Sequence, residues 1–85
     1  MERNKLEKLR KEIDKIDNDL IKIIAKRFKI TERVRDFKKE NNLPIEDKNR
    51  EAQILEKANV LAKKIGINSD LAKNILMQII SEAKK

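Results

Sequence analysis

The sequence feature that most constrains the fold is a stripe of apolar residues spaced alternately by three and four over the first forty positions. This spacing is typical of the a and d positions of a helix that packs against other helices. No Gly or Pro interrupts the stripe, and Pro44 disfavours helix at the residue before it. The sequence therefore predicts one long helix. Its stripe consists of Leu6, Leu9, Ile13, Ile16, Leu20, Ile23, Ile30, Val34 and Phe37.

Two shorter helices are predicted after Pro44, and capping residues mark their ends. Asp47 is a good N-cap, and Gly66 suits the left-handed position that ends a helix. Either Asn68 or Ser69 can cap the helix that follows. Apolar residues recur at helical spacing between these signals, so both segments are expected to bury one face.

We predict an all-α fold in a single domain over residues 1–85, with helices at about 2–40, 47–65 and 69–84. At 1.5 Å per residue, the first helix is roughly 50–60 Å long. Each of the other two is about half that length and cannot cover the whole stripe. Because a large exposed apolar surface marks an interface, a second copy of the chain is expected to cover the rest, in an intertwined homodimer.

Composition excludes several kinds of site. The 85 residues include one Gly and no His or Cys. The usual transition-metal ligands and the Ser-His and Cys-His nucleophile pairs are therefore missing, and one Gly cannot form a glycine-rich phosphate loop. No apolar run approaches the ~20 residues that cross a bilayer. We expect no metal, no cofactor, no membrane segment and a cytoplasmic location.

One position of the stripe breaks the pattern, because Arg27 stands where an apolar residue is due. A guanidinium in a core is costly unless an anion or several acceptors meet it. Lys38 lies about 16 Å further along nearly the same face, within reach of a shared ligand. Arg10 lies about 25 Å in the other direction, so it could join them only from the partner chain of an antiparallel dimer.

Two interpretations of Arg27 stay open on the pattern alone. It is either a buried ion pair that fixes the register, or part of a cationic pocket for a small polyanion. The start of the second helix also allows two interpretations, of which the pattern alone favours the structural one. Residues 45–51 offer backbone N–H groups, a carboxylate and the guanidinium of Arg50, but plain capping and a solvated first turn account for them as well.

The ordered set of these residues resembles the all-helical, AroQ-class chorismate mutases. The resemblance covers about Leu6 to Ala83. It implies a cofactor-independent rearrangement of chorismate to prephenate, in aromatic amino-acid biosynthesis, without a covalent intermediate. The residues that carry it are Arg10, Arg27 and Lys38 on the long helix, the run Leu43-Pro44-Ile45, the set Asp47, Arg50 and Glu51, and the segments Leu9–Asp17 and Ile24–Arg27.

The resemblance also implies a role for each matched residue. Arg27 would clamp one substrate carboxylate, and Arg10 donated by the other protomer would help to hold the carboxylates. Lys38 would contact a carboxylate and the ether oxygen. Glu51 would accept a hydrogen bond from the ring hydroxyl, with the backbone of Asp47 nearby.

The remaining implied site residues support these contacts. Arg50 would lie close by, and Val34 and Ile80 would form apolar walls. Ala83 stands where the family commonly has Ser. The family's Gln, a second donor to the ether oxygen, would fall two residues beyond Lys85.

Two other classes compete with this interpretation. The net charge of +7 allows nucleic-acid binding, but the only aromatic residues are Phe28 and Phe37, and the cations are interleaved with acids. We therefore expect no specific nucleic-acid partner. A structural coiled-coil module is the other alternative, with Arg27 as its register device. Only a chorismate mutase predicts saturable binding of chorismate.

Overall fold

The computed structural model describes residues 2–85 as three α-helices: α1 (Glu2–Glu40), α2 (Lys48–Ile65) and α3 (Ser69–Ala83). Met1, the first residue of the predicted domain, lies outside the described residues. No strand occurs in residues 2–85, so the predicted all-α, three-helix fold is confirmed. None of the helices in this range combines the length and the hydropathy that a membrane span requires.

The end of α1 is a left-handed turn centred on Asn42. This residue has a φ of 56°, which Asn tolerates better than most residues. The amide of Leu43 donates to the carbonyl of Lys38 at 2.8 Å, and that of Asn42 donates to the carbonyl of Lys39 at 3.3 Å. These two bonds satisfy carbonyls that the helix itself leaves unpaired, and the chain then reaches Pro44 in a non-helical conformation.

Side-chain and backbone caps define the ends of α2 and α3. Oδ1 of Asp47 accepts a hydrogen bond from the amide of Arg50 at 2.9 Å. Gly66 ends α2 with a φ of 84°, a conformation that glycine adopts without strain. Oδ1 of Asn68 accepts from the amide of Leu71 at 3.0 Å, so Asn68 is the cap of α3 and Ser69 is its first helical residue.

The chain forms two compact units, and the boundary between them falls within α1. The first unit ends at Ile30 and is helical throughout its described part. Its apolar stripe is exposed, from 46% at Leu6 to 64% at Ile16. An apolar stripe of this length, interrupted at Arg27, is the surface that one helix presents to another.

The second unit runs from Thr31 to Lys85 and contains the end of α1 together with α2 and α3. Its centre is the contact between α2 and α3. Ala58 and Ala62, one turn apart on α2, are the buried apolar residues of the described chain. Small side chains at this spacing let two helices approach closely, so they bring the polar first turn of α2 towards α3.

Candidate functional site

A cavity of about 170 Å³ lies between α2 and α3 in the second unit. From α2 it is lined by residues one turn apart, and from α3 by residues spaced three and four apart on a single face. This spacing explains why the six side chains meet around one space. The lining residues are Glu51, Leu55, Met77, Ile80, Ser81 and Lys84.

The polar end of this cavity is an ion pair between Lys84 and Glu51. Nζ of Lys84 lies 2.8 Å from Oε2 of Glu51 and 3.4 Å from Oε1 of Glu46. The hydrogen bond to Glu51, with a smaller contribution from Glu46, raises the pKa of Lys84 above its usual value. Lys84 is therefore held as an ammonium ion between the two carboxylates.

Two cations near the end of α1 reach the rest of the second unit. Nη2 of Arg35 donates to the backbone carbonyl of Ala83 at 2.7 Å, which satisfies an acceptor at the end of α3. Nζ of Lys38 donates to the carbonyl of Ile45 at 3.3 Å, in the loop before α2. Lys38 is half-buried, and its ammonium is directed towards the segment that leads into Asp47.

The predicted site residues of the second unit thus separate into two groups. Glu51 and Ile80 line the cavity. The others are not among its lining residues, although Lys38 and Ala83 take part in the hydrogen bonds just described, and Asp47 caps the turn that contains Arg50. This second group consists of Val34, Lys38, Asp47, Arg50 and Ala83.

Arg10 and Arg27 lie in the first unit and have different surroundings. Arg10 is exposed and pairs with Glu7 of the preceding turn at 3.6 Å. Arg27 is half-buried, and its Nη1 is shielded from solvent without a hydrogen-bond partner among residues 2–85. An unsatisfied buried donor destabilises a fold by roughly 1–3 kcal/mol, and more when it is charged. Arg27 is therefore a cation whose partner is missing from the described part of the chain.

Sequence reasoning missed five residues of this region. Helical spacing could have predicted three of them, because it places each on the same helix face as a predicted site residue. Leu55 is one turn from Glu51, and Met77 and Lys84 are one turn from Ile80. Arg35 and Ser81 have no such signal, since their roles depend on which helices pack together. In residues 2–85, no group of three or more Asp, Glu, His or Cys side chains is placed to hold a metal ion.

Comparison of the amino-acid sequence with known proteins places this chain in a family. Residues 9–85 match the family model described as chorismate mutase type II. This chain belongs to the chorismate mutase type II family. The family predicted from the sequence is thereby confirmed.

Three curated relatives illustrate the match. The T-protein of Haemophilus influenzae is 36% identical over 78 residues, which cover 92% of this chain and 21% of that protein. A bifunctional chorismate mutase/prephenate dehydratase of Buchnera aphidicola is 36% identical over 81 residues, covering 95% and 21% respectively. A chorismate mutase of Methanocaldococcus jannaschii is 32% identical over 80 residues, covering 94% and 81%.

The chain thus spans about a fifth of the length of the first two relatives and most of the third. No significant match to a solved structure was found.

Proposed function

We propose that this chain is a chorismate mutase domain that converts chorismate to prephenate in aromatic amino-acid biosynthesis. The observation that carries the proposal is the shielded, unpartnered Nη1 of Arg27 at a position of the stripe where an apolar residue is due. A guanidinium in such a place needs an anionic partner, and planar carboxylates match its donor geometry. A small dicarboxylate supplies that partner from outside the chain.

The proposed reaction is unimolecular and needs no cofactor. Chorismate must adopt a compact chair-like conformer, and its ether C–O bond breaks before the new C–C bond is well formed. Clamping both carboxylates holds this conformer and removes part of the entropic barrier. A fixed cation at the ether oxygen stabilises the transition state more than the ground state, because negative charge grows there as the bond breaks.

We assign the residue roles by position in the family. Arg27 and the partner subunit's Arg10 bind the carboxylates, and Lys38 contacts a carboxylate and the ether oxygen. Glu51 accepts a hydrogen bond from the ring hydroxyl. Glu51 and Ile80 line the same cavity, which supports this role, because a cavity with a carboxylate and an apolar wall suits a hydroxyl-bearing ring.

The remaining assigned residues complete the site. The backbone of Asp47 lies near the ring hydroxyl, Arg50 supports Glu51 from the adjacent position, and Val34 adds an apolar wall. Ala83 occupies the position where the family commonly has Ser, so we assign it no hydrogen bond to substrate. A cytoplasmic location remains a prediction of the sequence.

We further propose that the active form is a homodimer. The exposed stripe of the first unit supports this, because apolar side chains along a long helix are stabilised when a second copy covers them. Light scattering at micromolar concentration is expected to give twice the chain mass, and a monomeric mass would contradict the dimer.

The direct test is an absorbance assay that follows the loss of chorismate, together with titration by a bicyclic dicarboxylate mimic of the transition state. Saturable turnover that the mimic inhibits competitively would support the proposal. Absence of both turnover and saturable binding would refute it and would favour a structural or nucleic-acid-binding module.

A further inference from the structure

The carboxylates near the cavity present an electrostatic problem for the substrate proposed above. Glu46 and Glu51 both lie within ion-pair distance of one ammonium, so their negative charges are close together. A dianion that enters this cavity would meet two like charges, and like charges at short range repel even near a protein surface. Binding therefore requires a cation at this place.

Lys84 is the cation that the structure places there. It follows the last residue of α3, lines the cavity, and contacts Glu51 of α2 and Glu46 of the preceding loop. Its ammonium approaches Oε2 of Glu51, which is one of the two oxygens of that carboxylate. Glu51 is the less exposed acid of the two, with 27% of its side chain exposed against 57% for Glu46.

We propose that Lys84 is a positioning residue for substrate binding, an inference that rests on the proposed function. Its ammonium fixes the Glu51 carboxylate through Oε2, so that Oε1 is presented to the substrate hydroxyl. It also offsets the negative charge of Glu46 and Glu51, which lets a dianion approach. Lys84 acts through Glu51 and through the local field, and it forms and breaks no bond in the reaction.

The neighbouring Lys85 provides a matched control. It has the same charge and pairs with Glu82 of α3 at 3.3 Å, but it does not line the cavity. Lys84→Gln and Lys85→Gln therefore remove the same charge one residue apart. A general effect of net charge or of a frayed helix end would appear in both variants, whereas the proposed role belongs to Lys84 alone.

The test compares the steady-state kinetics of the wild-type chain with those of both variants. Lys84→Gln is expected to raise KM for chorismate by roughly 5- to 10-fold with little change in kcat, because it removes an interaction made equally in ground and transition states. Lys85→Gln is expected to match the wild type. The rise in KM should shrink as salt is added, since screening weakens repulsion between the acids and the substrate.

Further variants keep the test decisive if Lys84→Gln loses stability. Lys84→Arg retains the charge and should keep a KM near that of the wild type. Adding Glu46→Gln to Lys84→Gln removes the nearby acid and should restore much of the lost affinity. A pure clamp between α2 and α3 predicts a lower melting temperature without any salt-dependent change in KM.

The outcomes separate the inference from the function on which it rests. Two outcomes with an active wild type would overturn the role of Lys84 and leave the proposed function standing. In the first, Lys84→Gln and Lys85→Gln have the same KM as each other. In the second, Lys84→Gln changes only the melting temperature. If the wild type neither converts nor binds chorismate, the proposed function is refuted, and the role of Lys84 with it.

Discussion

Arg27 combines a structural cost with a proposed function, and the two can be measured separately. Its shielded Nη1 has no partner among the described residues, so the folded chain bears an unsatisfied donor. Replacing it by an apolar side chain of similar length removes that penalty, because buried charges are often exchanged for apolar groups without loss of stability. Replacing Arg27 by an apolar side chain should therefore raise the free energy of unfolding and lower the activity.

We expect Arg27→Met to raise the free energy of unfolding by about 1 kcal/mol while it abolishes detectable turnover. Urea unfolding and the chorismate assay measure the two effects. Lys26→Met is the control, because it makes the same change at an exposed neighbouring position. A destabilised Arg27→Met would show that the guanidinium already has a stabilising partner in the folded protein, as a register device requires.

Lys38 is the residue to which the proposed mechanism assigns the ether oxygen. We expect Lys38→Ala to lower kcat by at least ~10², the scale of losing one donor to developing charge in a transition state. Lys39→Ala removes an exposed lysine from the next position of the same helix and should leave kcat unchanged. Unchanged turnover in Lys38→Ala would remove Lys38 from the mechanism.

At the scale of secondary-structure elements, the sequence alone predicts the three helices and their approximate ends. The apolar period, Pro44, Asp47 and Gly66 predict ends at about 40, 47 and 65, and the structure has Glu40, Lys48 and Ile65. These signals are local, since a cap or a left-handed residue acts on its own turn. The sequence alone does not decide between Asn68 and Ser69 as the cap of α3, because Asn and Ser have nearly equal N-cap preference.

The hydrogen bond from the Leu71 amide to Asn68 gives that cap a measurable stability. We expect Asn68→Ala to lower the free energy of unfolding by about 1 kcal/mol, the usual loss when an N-cap side chain is removed. Ser69→Ala changes the first helical residue instead and should have a smaller effect. Equal losses in the two variants, measured by urea unfolding, would show that both side chains contribute to the cap.

At the scale of the whole molecule, the proposed homodimer makes a prediction about mixed variants. The resemblance assigns Arg10 to the site of the partner subunit, so the Arg10→Ala and Lys38→Ala chains carry complementary defects. A mixed dimer would contain one site with both wild-type residues and one site with neither. Random mixing makes half the dimers mixed, so about a quarter of all sites should recover wild-type activity.

Chains refolded together from denaturant, with each variant alone as the control, provide the measurement. Recovery in the mixture but in neither variant alone would place Arg10 and Lys38 of one site on different chains. If both variants are inactive alone and the mixture stays inactive, Arg10 acts within its own chain. If Arg10→Ala alone keeps wild-type activity, Arg10 has no role in the site.

The sequence by itself determined the all-α class, the approximate ends of the helices, the family, and the anomaly at Arg27. Each of these depends on residue types at fixed spacing along one chain, which local backbone geometry and hydropathy translate directly into structure. The candidate positions Glu51 and Ile80 also came from sequence, through the family resemblance.

Only the tertiary structure decided which side chains share a space. The cavity lies where α2 packs against α3, and this packing brings Lys84 to Glu51 across 33 positions of sequence. Likewise, the partner of Arg35 is a backbone carbonyl at the end of α3. Such pairings depend on the rotation and offset of one helix against another, and no local signal in the sequence specifies either quantity.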